Sequence, residues 1–343
     1  MAKLRVGLLF GGRSVEHEVS LASATSILSA LDPTRYDVAL IGVDHDGRWY
    51  LAPPTLPDEV IRSGEEVALP AAPGERRLVS TRGAGLGPIG DLDVVFPVIH
   101  GRGGEDGSLQ GLLELADLPY VGSGVLGSAL QMDKEVSKRL LRAAGLPVVP
   151  WVSVRAFELA ADVAAVVERI ENALAYPLFV KPANLGSSVG TSQVEAAEAL
   201  VPALREATRY DTKLLVERSV DAREIEVAVL GNDTLEASVP GEIVTGHDFY
   251  DYEAKYIDAD TQLLVPAPLP EEQRQLTRNL ALRAARALES EGLARVDFLL
   301  DRHSGELFIS ELNSIPGFTE GSMYPRLWEA SGLAYPALLD RLI

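Results

Sequence analysis

Val6–Phe10 is continuously hydrophobic, ends in Gly11-Gly12, and gives way to apolar positions at helical spacing from Val19 to Leu31. Two further apolar runs follow, Asp37–Val43 and Asp93–Ile99, and the second leads into Gly101–Gly107 and a helical stretch through Ala116. Few folds accept that order. Strands hydrophobic along their whole length, separated by helices and ended by glycines, belong in a parallel sheet covered on both faces. The first third therefore reads as an α/β unit with a doubly wound parallel sheet. Residues 53–90, rich in Pro, Gly and charge, read as an irregular excursion from it.

The pattern then changes. Gly124–Ala144 reads as one helix stopped by Gly145-Leu146-Pro147, and Glu158–Ala175 as another. Leu178–Lys181 is a strand, followed by a Gly/Ser loop and a helix near Val194–Thr208. The last third is rich in strands (Lys213–Val220, Glu224–Leu230, Leu235–Val239, Ala294–Asp301, Glu306–Asn313) around one long helix, Glu271–Glu291. Three units fit 343 residues, at 1–123, 124–213 and 214–343.

Charge and cysteine content remove several classes of function. Lys and Arg number 31 against 50 Asp and Glu, a net charge of −19. Such a field repels nucleic-acid backbones and anionic lipid, so neither is an expected partner. The chain has no cysteine, which excludes disulfides, thiolate catalysis and Cys-ligated metals. The N-terminal apolar run lacks a cleavage signal, and no run approaches a membrane span. The expectation is a cytoplasmic protein.

Gly11-Gly12-Arg13-Ser14 follows a strand but lacks the dinucleotide spacing, so a nicotinamide cofactor is poorly supported. Glu16, taken alone, reads as an acid compensating a helix dipole. Leu178–Gly190 is richer. Lys181 closes a strand, and the loop holding Ser187 and Ser188 adds N–H and hydroxyl donors, as a polyphosphate requires. An exposed lysine before an ordinary hairpin loop fits equally well.

The C-terminal strands carry the strongest pattern. Ala294–Asp301 and Glu306–Asn313 flank His303-Ser304-Gly305, a three-residue hairpin loop with Gly at the left-handed position. That loop sets Asp297 against Glu311 and Arg295 against Asn313, all on one face. Val296, Phe298, Leu300, Phe308 and Leu312 fall on the other face as core. Facing carboxylates repel unless a cation lies between them, and oxygen-only ligands suit Mg²⁺ or Mn²⁺. The competing reading is a polar outer face on which Arg295 neutralises both acids. Ser314–Met323, turned by Pro316-Gly317, follows directly and offers backbone donors and hydroxyls.

These residues carry a resemblance. Lys181-Pro with its Gly-Ser-Ser-Val-Gly loop, Arg295-Val-Asp297, and Glu311-Leu-Asn313 with its Pro-Gly-Phe-Thr turn resemble the ATP-grasp superfamily. Within it, Gly11–Ser20, His100–Gly111, Met132-Asp-Lys134 and Phe249–Tyr256 resemble the D-alanine–D-alanine ligase family, in order along the whole chain. The resemblance implies a three-lobed ATP-grasp fold, ATP, two Mg²⁺ or Mn²⁺, and a homodimer that joins two D-alanines through an acyl phosphate for peptidoglycan synthesis. Carried over by position, Lys134 and Lys181 would contact the nucleotide phosphates, with Ser188 and Lys255 in the same site. Glu217 would lie at the adenine hinge and Glu224 at the ribose. Asp297, Glu311 and Asn313 would hold the metal ions. Glu16 would take the first ammonium, grouped with Ser187 and Tyr256. Arg295 and the Gly317 N–H would form the oxyanion site, while Ser322, Met323 and His100 would hold substrate. The segment Thr245–Pro266, with Tyr and Lys at its centre, would be the lid. The hinge departs from the family, reading Glu217-Arg-Ser-Val where Lys and then a larger apolar residue are commoner. A D-alanine–D-lactate ligase, another ATP-grasp carboxylate–amine ligase and a nucleotide sensor without turnover are the rivals.

Overall fold

A computed structural model of the chain describes residues 3–51, 62–81, 88–244 and 261–343. In chain order the first unit runs β1 (Leu4–Gly11), α1 (His17–Ala30), β2 (Tyr36–Val43), β3 (Trp49–Leu51), β4 (Glu65–Ala68), β5 (Arg77–Ser80), β6 (Pro88–Asp91), β7 (Val94–Pro97) and α2 (Ser108–Leu115). β1 pairs in parallel with β2 on one side and β7 on the other. Leu21, Ala24 and Ile27 of α1 pack with Val6, Leu8 and Phe10, while Leu109 and Leu113 of α2 pack with Leu9 and Val95. Helices thus cover both faces, which explains why β1 carries no polar side chain from Val6 onward.

The described part of the excursion is more ordered than its composition suggests. β4, β5 and β6 continue the sheet antiparallel beyond β3, in the order β6-β5-β4-β3-β2-β1-β7. Strands of four residues, charged and one-sided (Glu65-Glu66-Val67-Ala68, with Val67 buried), leave almost no period-two signal.

The second unit contains α3 (Val125–Met132), α4 (Lys134–Ala143), β8 (Trp151–Arg155), α5 (Ala156–Ala161), α6 (Val163–Ala173), β9 (Leu178–Pro182), β10 (Ser192–Val194), α7 (Ala197–Ala207) and β11 (Lys213–Arg218). Its sheet order is β10-β9-β11-β8, antiparallel throughout. Both long helices expected here are broken, and by the same device. Asp133 accepts from the Val136 N–H at 3.0 Å to start α4, and Asp162 from the Ala165 N–H at 3.0 Å to start α6. An aspartate that caps a following helix ends the preceding one.

The third unit contains β12 (Ala222–Gly231), β13 (Glu236–Ala237), β14 (Gly241–Val244), β15 (Gln262–Leu264), α8 (Glu271–Ala287), β16 (Gly292–Asp301), β17 (Leu307–Asn313), α9 (Met323–Ala330) and α10 (Tyr335–Leu342). Its main sheet order is β15-β14-β12-β16-β17. The first and third units share one core. Phe318, fully buried, meets Phe96 edge-on at 5.9 Å and Tyr324 at 5.5 Å. Burying such a ring contributes about 1.5–3 kcal/mol and pins the segment around Gly317 to the first sheet.

The β16–β17 register holds at its functional end and fails at its loop. Asp297 faces Glu311 and Arg295 faces Asn313, as expected, but Phe298 pairs with Ile309 and Leu300 with Leu307. The loop is therefore one residue longer than expected, closed by Asp301 N–H to the Glu306 carbonyl at 2.9 Å, and a bulge at Ser310 restores the pairing. Between loop and bulge the parity inverts. Leu307 and Ile309 enter the core, while Phe308 lies half-buried under Arg218, whose guanidinium is 5.4 Å from the ring centre.

Candidate active site

Three strands place carboxylates in one row. Glu226 on β12 pairs with Asp297 on β16, which pairs with Glu311 on β17. Period two puts Glu224 on the Glu226 face. Arg295 Nε and Nη2 donate to the two Asp297 oxygens, each at 2.7 Å, and Arg295 Nε lies 3.1 Å from Glu226. Asn313 Nδ2 donates to Asp297 at 2.9 Å, and Lys134 lies 3.1 Å from Glu311. Arg295 thus pairs with Asp297 as the competing reading had it, while Glu311 is met by Lys134 instead. The three carboxylates and the Asn313 amide form an oxygen donor set of the kind Mg²⁺ or Mn²⁺ takes.

A second cluster lies beside it. Lys138 approaches Glu217 at 2.7 Å, and Lys181 meets the other Glu217 oxygen. Lys138 is 1% exposed and Glu217 5%. Burial raises the cost of charge on Glu217, but the two lysines outweigh it and hold the carboxyl below its usual range. Burial pulls Lys138 down, whereas for Lys181 the charges of Glu217 and Glu311 overcome burial and push it up. Lys134 also donates to the Leu185 carbonyl at 2.7 Å, tying this cluster to the Gly/Ser loop.

Glu16 stands at the N-terminal end of α1 but makes no capping bond. Its Oε1 accepts from Ser187 Oγ at 2.5 Å, across the gap between the first and second units. Gly101 and Gly186 wall the carboxylate; a Cβ at either would come within 3.0 Å of Oε2. Ser187 and Ser188 have φ of 47° and 56°, left-handed values that cost a non-glycine residue about 1–3 kcal/mol each. The fold holds that loop in place against its own preference.

The segment after β17 is anchored by buried polar groups. His100, 2% exposed, donates from Nδ1 to the Ile315 carbonyl at 2.9 Å, and burial pulls its imidazole below the usual range. Glu105 accepts from the Gly101 N–H at 2.7 Å, the Ile315 N–H at 2.9 Å and Ser314 Oγ at 3.3 Å. Burial, then the charge of Glu16, pushes its carboxyl up to about 7. Phe318 N–H donates to Ser23 Oγ at 3.1 Å, and Thr319 N–H to Ser322 Oγ at 3.1 Å. Ser322 precedes the first turn of α9, where Met323 begins the helix, so the segment ends at a helix N-terminus suited to an anion.

The family assignment rests on the whole chain. Residues 5–123 match the model described as D-ala D-ala ligase N-terminus, and residues 140–343 the model described as D-ala D-ala ligase C-terminus. The chain belongs to the D-alanine–D-alanine ligase family. A D-alanine--D-alanine ligase of Thermoanaerobacter sp. (strain X514) is 51% identical, with all of this chain and 96% of that protein aligned. D-alanine--D-alanine ligase A of Chromobacterium violaceum is also 51% identical, over 100% of this chain and 95% of that one. Among solved structures, the Coxiella burnetii D-alanine-D-alanine ligase superposes with a TM-score of 0.87 at 38% identity, over 100% of this chain and 93% of that one. The VanG D-Ala:D-Ser ligase of Enterococcus faecalis gives 0.88 at 33%, over 99% and 98%. The three-lobed ATP-grasp fold follows.

Of the residues singled out by sequence, Glu16, Ser187, Lys134, Lys181, Glu217, Arg295, Asp297, Glu311 and Asn313 fall into the two clusters and the Glu16 contact. Glu224 joins by its strand face. Ser188 stands beside Ser187, while His100, Gly317, Ser322 and Met323 line or support the following segment. Tyr256, Lys255 and most of the expected lid lie outside the described residues. Lys138, Glu226 and Glu105 were not anticipated. A signal existed for Lys138, which falls on the same helical face as Leu141 and so had to be buried. Among the described residues no helix is long and apolar enough to cross a membrane.

Proposed function

We propose that the protein uses ATP and a divalent metal to join two D-alanines into D-alanyl-D-alanine for peptidoglycan synthesis. The observation that carries this is the junction of an acid-rich face (Glu226, Asp297, Glu311) with a cation-rich cluster (Lys134, Lys138, Lys181) in a chain 51% identical to named ligases. A free carboxylate resists attack by an amine, so a carboxylate oxygen of the first D-alanine first takes the γ-phosphoryl of ATP, breaking its bond to the β-phosphate, releasing ADP and giving an acyl phosphate. Lys134 and Lys181 neutralise the phosphates, with Ser188 and Lys255 beside them, Glu217 at the adenine hinge and Glu224 at the ribose. Asp297, Glu311 and Asn313 would hold two Mg²⁺ or Mn²⁺. Such ions supply Lewis-acid stabilisation of the transferring group when bound.

Glu16, oriented by Ser187 and grouped with Tyr256, takes the ammonium of the first D-alanine, and His100 supports that pocket. The second D-alanine is held through its carboxylate by Ser322 and the Met323 N–H at the α9 N-terminus. Its neutral amine attacks the acyl carbon, the bond from that carbon to the phosphate oxygen breaks, and the amine's surplus proton leaves with the departing phosphate. Arg295 meets the tetrahedral oxyanion with a guanidinium preoriented by Asp297, and the Gly317 N–H is the second donor. The lobes are 1–123, 124–213 and 214–343. A homodimer and a cytoplasmic location complete the reading, and sedimentation tests the dimer.

Phosphate release from Mg·ATP is expected to depend on D-alanine and to be negligible with L-alanine. Equal stimulation by both enantiomers overturns the assignment. D-Lactate competing with D-alanine, with products resolved by mass, tests the second substrate: the dipeptide is expected to dominate at neutral pH.

A further inference from the structure

The segment that follows β17 is gripped from a second side, by α1 and by the first residue of α10. The Tyr335 hydroxyl donates to the Phe318 carbonyl at 2.7 Å. Its single proton is thereby committed, so in its contact with Ser26 Oγ, at 3.1 Å, Ser26 is the donor. Ser26 Oγ in turn accepts from the Glu320 N–H at 3.0 Å. The three bonds form one directed chain, Glu320 to Ser26 to Tyr335 to Phe318, in which each hydroxyl both accepts and donates. Burial pushes the Tyr335 phenol up to about 12, so it remains a donor across the neutral range. The Phe318 and Tyr335 rings also pack, with centroids 5.8 Å apart.

The carbonyl that Tyr335 holds belongs to the same peptide unit as the Thr319 N–H. That unit is planar, with its C=O and N–H pointing in opposite directions, so fixing one end aims the other. The aimed N–H donates to Ser322 Oγ at 3.1 Å, and Thr319 Oγ1 lies 2.7 Å from the same oxygen. Ser322 stands close against Gly317, where a Cβ would come within 3.3 Å of its Oγ. We infer that Tyr335, backed by Ser26, is a positioning residue for the second half of the reaction: through the Phe318–Thr319 peptide it aims the Ser322 hydroxyl at the carboxylate of the second D-alanine. This rests on the role of Ser322 proposed above. A poorly held second D-alanine leaves the acyl phosphate waiting, and water then attacks the acyl carbon in place of the amine. The bond from that carbon to the phosphate oxygen breaks and the water's surplus proton leaves with the phosphate. The first D-alanine is regenerated, so the net reaction is hydrolysis of ATP to ADP and phosphate.

The test measures ADP and dipeptide, the dipeptide by mass, in the same reactions across a D-alanine titration. The parent is expected to release one ADP for each dipeptide. Tyr335→Phe keeps the ring contact and removes only the donor. It should raise the KM for the second D-alanine about 5-fold and lift the ADP-to-dipeptide ratio above one, with the KM for ATP unchanged. Ser26→Ala should move both quantities the same way by less. Asp340, further along α10, pairs with Arg35 and accepts from the Tyr36 hydroxyl at 2.8 Å, so Asp340→Ala loosens the helix without touching Phe318 and should keep the ratio at one. ADP and dipeptide rates that fall together in Tyr335→Phe at an unchanged KM, or that match the parent's, overturn the inference. So does a ratio raised equally by Asp340→Ala. A parent that forms no dipeptide overturns the proposed function, and this inference with it.

Discussion

Glu217 and Asp297 are both carboxylates gripped by basic side chains, yet their surroundings differ in sign. Around Glu217, Lys138 and Lys181 converge on one acid. Around Asp297, Glu226 and Glu311 extend the row of acids, with Arg295 and Lys134 opposite. Two lysines on one acid favour an anion at the first cluster, whereas three acids in one row favour a cation at the second. Lys134 links the two, reaching Glu311 and the Leu185 carbonyl of the Gly/Ser loop. Placing opposite preferences side by side gives a site the charge pattern of a metal–polyphosphate complex within a chain whose net charge is strongly negative.

The contrast breaks most visibly at Glu311. Glu311→Gln is expected to lower metal-dependent turnover by about 10²-fold or more while leaving the thermal midpoint unchanged or slightly higher, because a facing carboxylate pair is relieved. A collapse of the midpoint would make Glu311 structural. Next comes the lysine pair. Lys138→Met breaks a buried ion pair, and the loss should be about 3 kcal/mol, the low end for such pairs, since Lys181 still holds Glu217. Lys181→Met should instead cost mainly ATP turnover. Denaturant midpoints set beside ATPase rates separate them, and equal stability losses would erase the distinction.

Smaller effects sharpen the comparison. Glu226→Gln removes one acid of the row and should raise the Mg²⁺ concentration for half-maximal rate by a few-fold, read from a magnesium titration at saturating ATP. Glu105 gives the smallest effect, visible only against pH. Its carboxyl titrates near 7 in the fold against 4.5 when unperturbed, so the folded state holds the extra proton between those values. Its contribution is therefore most favourable at low pH and is lost as pH rises from 4.5 toward 7. Glu105→Gln should flatten that part of the stability–pH curve. An unchanged slope would mean Glu105 is ionised throughout.

Much of this was legible beforehand where a pattern repeats. The apolar strands beside glycines announced the parallel core of β2, β1 and β7; the hairpin reading put Asp297 against Glu311, but only because a loop one residue longer than expected is offset by the bulge at Ser310. What escaped has physical reasons. β4 to β6 are too short and charged to show a period. The breaks at Asp133 and Asp162 look like helix interior until the side chain is seen to cap. Glu105 and Glu226 matter through partners far away in sequence, Ile315 and Arg295, and no local spacing encodes such pairing. Glu16 shows the same limit: its neighbours suggest a dipole acid, and only the fold brings Ser187 to it.

Ser310 supplies a constraint of a different kind. As the extra residue of the β17 bulge, it allows Leu307 and Ile309 to face the core while Glu311 and Asn313 face the opposite way. Its side chain enters none of this, so exchanging the serine for alanine or threonine is tolerable. Removing the position is not, because every residue on one side of the gap would turn through the sheet, exposing leucine or burying the acid. Position 310 thus tolerates misspelling but not omission, and relatives can vary freely in what they write there provided the count of letters between the turn and the acid is kept.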